Sequence, residues 1–129
     1  MLALLGRIVG KAVAEAVIEE YNIEKNDLEG LKIALESILP KVMQFEAAWE
    51  EEKLKTRSNC PVYKNYKEWC DKGCVPMIES FARIFNPKIK VKRTSREPDR
   101  CEFEFSVDTE TLEIIKQQKV KKELKERGN

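Results

Sequence analysis

Residues 59–105 read NCPVYKNYKEWCDKGCVPMIESFARIFNPKIKVKRTSREPDRCEFEF, and the rest of the chain is organised around this stretch. It holds all four cysteines of the protein, Cys60, Cys70, Cys74 and Cys101, and the whole chain has no histidine. Because Cys70 and Cys74 are four residues apart, a helix would place both thiols on one face. We therefore expect the four sulfurs to form one closed site.

The same stretch predicts a helix followed by two strands. Apolar residues recur at helical spacing from Cys74 to Phe85, and Asn86-Pro87 ends that pattern. The runs 88–94 and 100–107 then alternate with period two, which is typical of antiparallel strands. In the second run Cys101 shares a face with two phenylalanines, so its thiol is expected to point inward. Opposite charges facing each other across the two strands would make the basic run a solvated sheet face; these are Lys90 and Lys92 against Glu102 and Glu104.

Upstream of the cysteines, the pattern predicts two helices and a hairpin. Residues 2–20 form an amphipathic helix, and Asn26 and Asp27 offer a cap for a second helix that ends near Pro40. Residues 41–58 alternate as in a hairpin, although their Glu and Lys content also suits a continuing helix. We favour the hairpin.

The expected architecture is α+β, with helices on one face of a small antiparallel sheet. A chain of 129 residues forms one domain. Its predicted parts are N-terminal helices over residues 2–39, a cysteine-containing core over 41–107 and a charged C-terminal helix over 109–127.

The first helix carries a ridge of small residues at Gly6, Gly10 and Ala14, beside an apolar stripe that includes Leu2 and Leu5. Glycine disfavours helix formation, so such a ridge indicates that another backbone comes close. One interpretation is a homodimer through residues 2–20. The alternative is a tight helix crossing inside the monomer.

Composition excludes some classes of function. Charged residues make up 36% of the chain, yet the net charge is +1, which disfavours nucleic acid as the partner. Arg7, Lys11 and Glu15 interrupt the first apolar run, so neither a membrane span nor a signal peptide is expected. We expect a cytoplasmic protein, and its excess of Lys and Glu is typical of thermophiles. In a reducing cytosol, clustered cysteines more often hold metal or perform chemistry than form disulfides.

The cysteines themselves leave four interpretations open. Four thiolates suit zinc or an iron–sulfur cluster, and the charge of about −2 on a zinc site could be offset by Lys64, Lys67 and Lys72. Disulfides Cys60–Cys70 and Cys74–Cys101 are the second interpretation. A nucleophilic thiol activated without histidine is the third. Plain buried thiols that pack as small hydrophobic groups are the fourth. We favour the metal or cluster.

Three strings of the chain resemble the L-2-amino-thiazoline-4-carboxylic acid hydrolase-like family: NCPVYKNYKEWCDKGC, FNPKIKVKRT and RCEFEF, within residues 56–107. The positions that match the family's motifs are Cys60, Pro61, Tyr63, Cys70, Cys74, Asn86, Pro87, Arg93, Thr94, Cys101 and Phe103. The resemblance implies an architecture similar to the 4-vinyl reductase type of small-ligand-binding domain, in which some members bind zinc through cysteines. It also implies the hairpin over residues 41–58.

Two functions follow as expectations. The first is a small-ligand-binding domain whose zinc or iron–sulfur site is held by all four cysteines, with a ligand pocket near Tyr63, Tyr66 and Trp69. The second is a hydrolase of a small cyclic amidine or amide, in which a thiol or a metal-bound water attacks. Its candidate catalytic residues are Cys60, Cys74 and Glu79, with Glu102 as a second candidate for proton transfer.

Overall fold

Four antiparallel strands form one sheet in the order β1-β2-β4-β3, with helices against one of its faces, in a computed structural model that describes residues 1–24, 27–97, 100–108 and 117. The elements in chain order are α1 (Leu2–Tyr21), α2 (Leu28–Ile38), a 3₁₀ turn (Leu39–Lys41), β1 (Phe45–Glu50), β2 (Lys53–Ser58), α3 (Val62–Asn65), α4 (Lys67–Lys72), α5 (Cys74–Phe85), β3 (Lys90–Glu97) and β4 (Arg100–Ser106). The α+β class is confirmed. The predicted helix over 109–127 and the capping role of Asn26 lie outside the described residues, Gln117 excepted.

The ends of the local elements follow from their capping and turn residues. Asp27 is the N-cap of α2, where its Oδ1 accepts a hydrogen bond of 3.2 Å from the backbone N–H of Gly30. The hairpin predicted over residues 41–58 is confirmed as β1 and β2. Its two-residue turn, Glu51 and Glu52, has φ of 50° and 67°, the left-handed pair that closes a twisted hairpin.

The inner face of the sheet carries the core in rows across the strands. One row joins Leu54, Phe105 and Val91, and the next joins Thr56, Phe103 and Arg93. Leu54 and Phe105 are almost completely buried, and α5 packs against this side with Phe81, Ala82 and Phe85. Burial of these aliphatic and aromatic side chains supplies the main stabilisation of the fold.

The outer face is a charged surface. Two ion pairs link β2 to β4, Lys53 with Glu104 at 3.1 Å and Arg57 with Glu102 at 3.0 Å. Lys92 lies opposite Glu104 and Lys90 opposite Ser106, so one of the two expected Lys–Glu oppositions between β3 and β4 is formed. Exposed pairs of this kind contribute at most about 1 kcal/mol each. The solvated face is confirmed. Arg93 and Arg96, further along β3, belong instead to the side of the sheet that carries Phe103 and Cys101.

Helix α1 packs its small residues directly on α5. Gly6, Gly10, Ala14 and Val17 are its buried residues. A Cβ atom on Gly10 would lie 2.1 Å from the carbonyl oxygen of Met77, and one on Gly6 would lie 2.4 Å from that of Gly73. The small-residue ridge therefore serves a tight crossing inside the chain, the alternative to its use in a dimer. Part of the apolar stripe faces away from the core, since Leu5 is 48% exposed.

Candidate functional site

The four cysteines reach one neighbourhood from four segments of the chain. Cys60 follows β2, Cys70 lies in α4, Cys74 is the first residue of α5 and Cys101 lies in β4. Cys101 is paired with Ser58, so the end of β2 that leads to Cys60 runs beside it. Cys70 is 5% exposed, the other three are half-buried, and all four are free thiols. The predicted disulfides are therefore not formed in this structure.

Gly73 connects the two local cysteines. Helix α4 ends at Lys72 and α5 begins at Cys74, but Gly73 keeps right-handed helical dihedrals, with φ −109° and ψ −30°. Its N–H donates to the carbonyl oxygen of Trp69 at 2.7 Å. A Cβ atom at this position would lie 2.6 Å from the Trp69 ring, so the glycine leaves room for the indole. Cys70 and Cys74 consequently stay one turn apart although they belong to two helices.

The thiols influence one another electrostatically. Burial, the largest cause, and negative charge on Cys74, Cys60 and Cys70 together raise the pKa of the Cys101 thiol from 9.0 to about 11, while the Arg93 guanidinium opposes the rise. Burial likewise raises the pKa of Cys74, Arg93 lowers it, and Cys60 and Cys70 raise it again. The pKa of each of these two thiols is therefore raised by Cys60 and Cys70 and lowered by one common cation, Arg93.

That common cation, Arg93, occupies an apolar row of the sheet. It continues the alternation of Ile89 and Val91, and its guanidinium lies 5.6 Å from the centroid of the Phe103 ring. Its Nη2 donates to the Cys70 carbonyl oxygen at 2.8 Å, and its Nη1 donates to Cys70 Sγ at 3.9 Å. Its Nε is buried without a hydrogen-bond partner, and no described carboxylate forms an ion pair with it. The half-buried guanidinium of Arg93 therefore contacts a thiol and no described carboxylate.

A β-bulge brings a second guanidinium to the same sulfur. Arg93 is paired with Phe103, but the register shifts so that Ser95 is paired with Glu102 and Arg96 with Cys101. Two residues that are three apart in sequence therefore face the same side of the sheet. Arg96 Nη1 donates to Cys70 Sγ at 3.9 Å and to the Asp71 carboxylate. Sequence reasoning missed Arg96, because only the bulge turns it inward.

The three lysines predicted to balance a metal site lie on the surface. Lys64, Lys67 and Lys72 are exposed, and Lys72 pairs with Glu68 at 3.7 Å. Among the described residues, the cations that contact a cysteine sulfur are Arg93 and Arg96. Arg93 could have been found in the sequence, because it falls on the apolar phase of its strand.

Other predicted site residues lie further from the cluster's chemistry. Tyr66 is 70% exposed, and Trp69 is half-buried against Gly73. The structure does not describe the side chain of Tyr63. Glu79 pairs with Arg83 on α5 at 3.0 Å. Glu102 alternates with Cys101 and so belongs to the opposite face of β4, where it pairs with Arg57.

The thiol cluster is not a closed metal site as it stands. In the described part of the chain, no three or more side chains of Cys, Asp or Glu are arranged to hold a metal ion. What the structure shows is four free thiols from separate segments with two guanidinium groups on one of their sulfurs.

Comparison of the chain with protein-family models, curated proteins and solved structures found no match. The resemblance to the thiazoline hydrolase-like family therefore stays a prediction, as does the hydrolase activity that it implies. Within the described residues, no helix is both long and apolar enough to cross a membrane.

Proposed function

We propose that Cys60, Cys70, Cys74 and Cys101 bind a zinc ion or an iron–sulfur cluster in a domain that binds a small ligand. The observation that carries the proposal is Arg93, a half-buried guanidinium with no carboxylate partner among the described residues, which contacts Cys70 and lowers the pKa of Cys74 and Cys101. A buried charge is costly unless an opposite charge compensates it. Thiolates are the groups within its reach that can supply that charge.

Charge balance supports four thiolates. A divalent ion with four thiolates carries a net charge of about −2. Arg93 supplies one positive charge that no described carboxylate offsets, and Arg96 supplies a second that it shares with the Asp71 carboxylate. Hydrogen bonds from protein donors to metal-bound sulfur are typical of the outer shell of such sites. The donors on Cys70 Sγ therefore suit a thiolate that is a ligand.

The raised pKa values make binding depend on pH. At neutral pH the Cys101 thiol is protonated, since its pKa is about 11. A metal ion would have to displace that proton, so affinity is expected to rise with pH. Once bound, the ion would crosslink the end of β2, α4, α5 and β4, which is a structural contribution to stability.

The finer features of the predicted architecture belong to the same proposal. A 4-vinyl reductase type of arrangement would place the ligand near the cysteines, with Tyr63, Tyr66 and Trp69 as candidate pocket residues. Half-buried Trp69, which packs on Gly73 between the two local cysteines, is the described aromatic that supports this placement. A homodimer through residues 2–20 also stays a prediction, and it needs a face of α1 other than the ridge.

The test is metal binding by reduced protein. Protein prepared without oxygen is loaded with Zn²⁺, with Co²⁺ as a spectroscopic probe, or with iron and sulfide, and bound metal per chain is measured. We expect one site, with the Co²⁺ visible bands of thiolate coordination. Each Cys→Ser substitution should weaken binding strongly, and Arg93→Gln should weaken it about 10–100-fold.

Arg57→Gln is the matched control, because Arg57 lies in the same sheet but on the outer face. It should bind metal like the wild type, and circular dichroism should confirm that each variant is folded. Absence of any bound metal under all three loading conditions would refute the proposal. So would equal binding by wild type and all four Cys→Ser variants.

A further inference from the structure

Helix α1 turns its small residues towards the core and several of its large apolar residues towards solvent. It buries glycine and alanine, while Leu4, Leu5 and Ile8 are 59%, 48% and 58% exposed. The close approach to the backbone of α5 leaves no room for large side chains on the buried side. The large apolar residues consequently form an outward surface, which we call the outer face of α1. Contiguous exposed apolar surface of this kind marks an interaction site.

The outer face is graded along the helix. At 100° per residue, Leu5, Ile8, Ala12 and Ala16 follow one line, so the first half carries large residues and the second half small ones. Lys11 and Glu15 are exposed beside this line, one turn apart and opposite in charge. Around its middle, an identical helix running in the opposite direction would place Ile8 over Ala16 and Lys11 beside Glu15. The middle of the outer face is therefore complementary to itself.

We propose that the outer face of α1 pairs antiparallel with the same face of a second copy of this chain, about a two-fold axis between Ala12 and Val13. Ile8 then lies over Ala16 of the second copy, and Lys11 faces Glu15 of the second copy. A two-fold contact of this kind uses one patch on both subunits. The proposal uses neither the small-residue ridge nor the thiol site.

Charge disfavours a lipid surface as the occupant. Helices that lie on membranes are rich in Lys and Arg on their polar side. Helix α1 has two basic residues, Arg7 and Lys11, against three acids in its second half, Glu15, Glu19 and Glu20. Anionic headgroups would repel these acids, whereas a second antiparallel copy places Glu15 beside Lys11.

The experiment is sedimentation equilibrium of the full chain, with its charge-swap variants. Wild type should be a dimer, and Ile8→Glu should be a folded monomer because Ile8 is exposed in the single chain. Lys11→Glu and Glu15→Lys should each raise the dimer Kd at least tenfold, and the double swap should restore it. Trp49→Glu, at an exposed apolar residue of β1, is the matched control and should remain dimeric.

Each other outcome overturns the proposal. If the wild type is monomeric at high concentration, the proposal is refuted. This holds whether the outer face is then free, binds anionic vesicles or crosslinks to residues 109–127. A dimer that persists in Ile8→Glu shows that another surface associates. A dimer lost in Trp49→Glu but kept in Ile8→Glu assigns the contact to β1. Failure of the double swap to restore the wild-type Kd refutes the antiparallel register.

Discussion

Adding one methyl group to Gly10 tests the packing on which the helical layer depends. In Gly10→Ala the new Cβ would lie 2.1 Å from the Met77 carbonyl oxygen and 3.1 Å from the Phe81 nitrogen. Both are backbone atoms inside α5, which a side-chain rotation cannot move. To reach an ordinary contact of 3.4 Å, the two helices must separate locally by about 1.3 Å. A gap of that size forfeits about half of the dispersion energy of the contacts that it opens.

The net cost of Gly10→Ala comes from two opposing effects. Overpacking in a tight interior costs about 1–3 kcal/mol, and a clash with backbone lies at the upper end of that range. Alanine recovers about 1 kcal/mol through its better helix propensity. We therefore expect a net loss of about 2 kcal/mol in the free energy of unfolding. At roughly 4 °C per kcal/mol for a domain of this size, Tm should fall by about 8 °C.

Urea denaturation followed by circular dichroism measures this loss, at protein concentrations low enough to keep wild type and variant in the same oligomeric state. Glu19→Gly is the control, because Glu19 is exposed on the same helix and its change reports the propensity effect alone, up to about 1 kcal/mol. If Gly10→Ala is as stable as wild type, or more stable, α1 does not cross α5 as closely as described and the reasoning is refuted.

Two further predictions concern the hairpin turn and Cys101. Replacing Glu51-Glu52 by Asn-Gly should stabilise the protein by about 1 kcal/mol, because both positions have positive φ; a lower urea midpoint would contradict this, and Glu46→Asn on exposed β1 is the control. For Cys101, the pKa rises from 9.0 to about 11 on folding. In metal-free protein the unfolded thiol therefore ionises first, and stability should fall as pH rises from 9 towards 11. Cys101→Ser should lose that part of the pH dependence; an unchanged profile would show that other groups cause it.

The sequence predicted those elements whose pattern reports directly on burial. The helix α5, the hairpin of β1 and β2 and the inward position of Cys101 follow from periods of 3.6 and 2, and all three are confirmed. Which side of α1 faces the core was harder to predict. Hydrophobicity predicts that the side with the large residues does, but the backbone of α5 lies so close that only small residues fit against it. Steric fit between two backbones decided the orientation, and a single helix pattern contains no information about its neighbour.

The candidate site shows the same division. The convergence of the thiols was predicted from their spacing and from the alternation of β4, but the source of the balancing charge was not. Nearness in sequence favoured Lys64, Lys67 and Lys72, which all remain exposed. The actual cations come from β3, more than 20 residues beyond Cys70, because sheet pairing brings that strand over α4. Long-range contacts of this kind depend on the assembled sheet.

The bulge in β3 decides which basic residues of the strand reach the cysteines. With regular alternation, Thr94 and Arg96 would face solvent together, and only Arg93 would reach the cysteines. The extra residue at the register shift turns Arg96 inward while Lys90 and Lys92 stay on the outer face. The strand can therefore present a solvated basic surface along most of its length and two cations to one sulfur at its end. Arg96 is also held by the Asp71 carboxylate, whereas the described partners of Arg93 are the Cys70 carbonyl oxygen, the thiols and the Phe103 ring. Because no described carboxylate pairs with Arg93, compensation of its charge depends on what the cysteines bind, and its substitution separates a thiolate centre from four inert thiols.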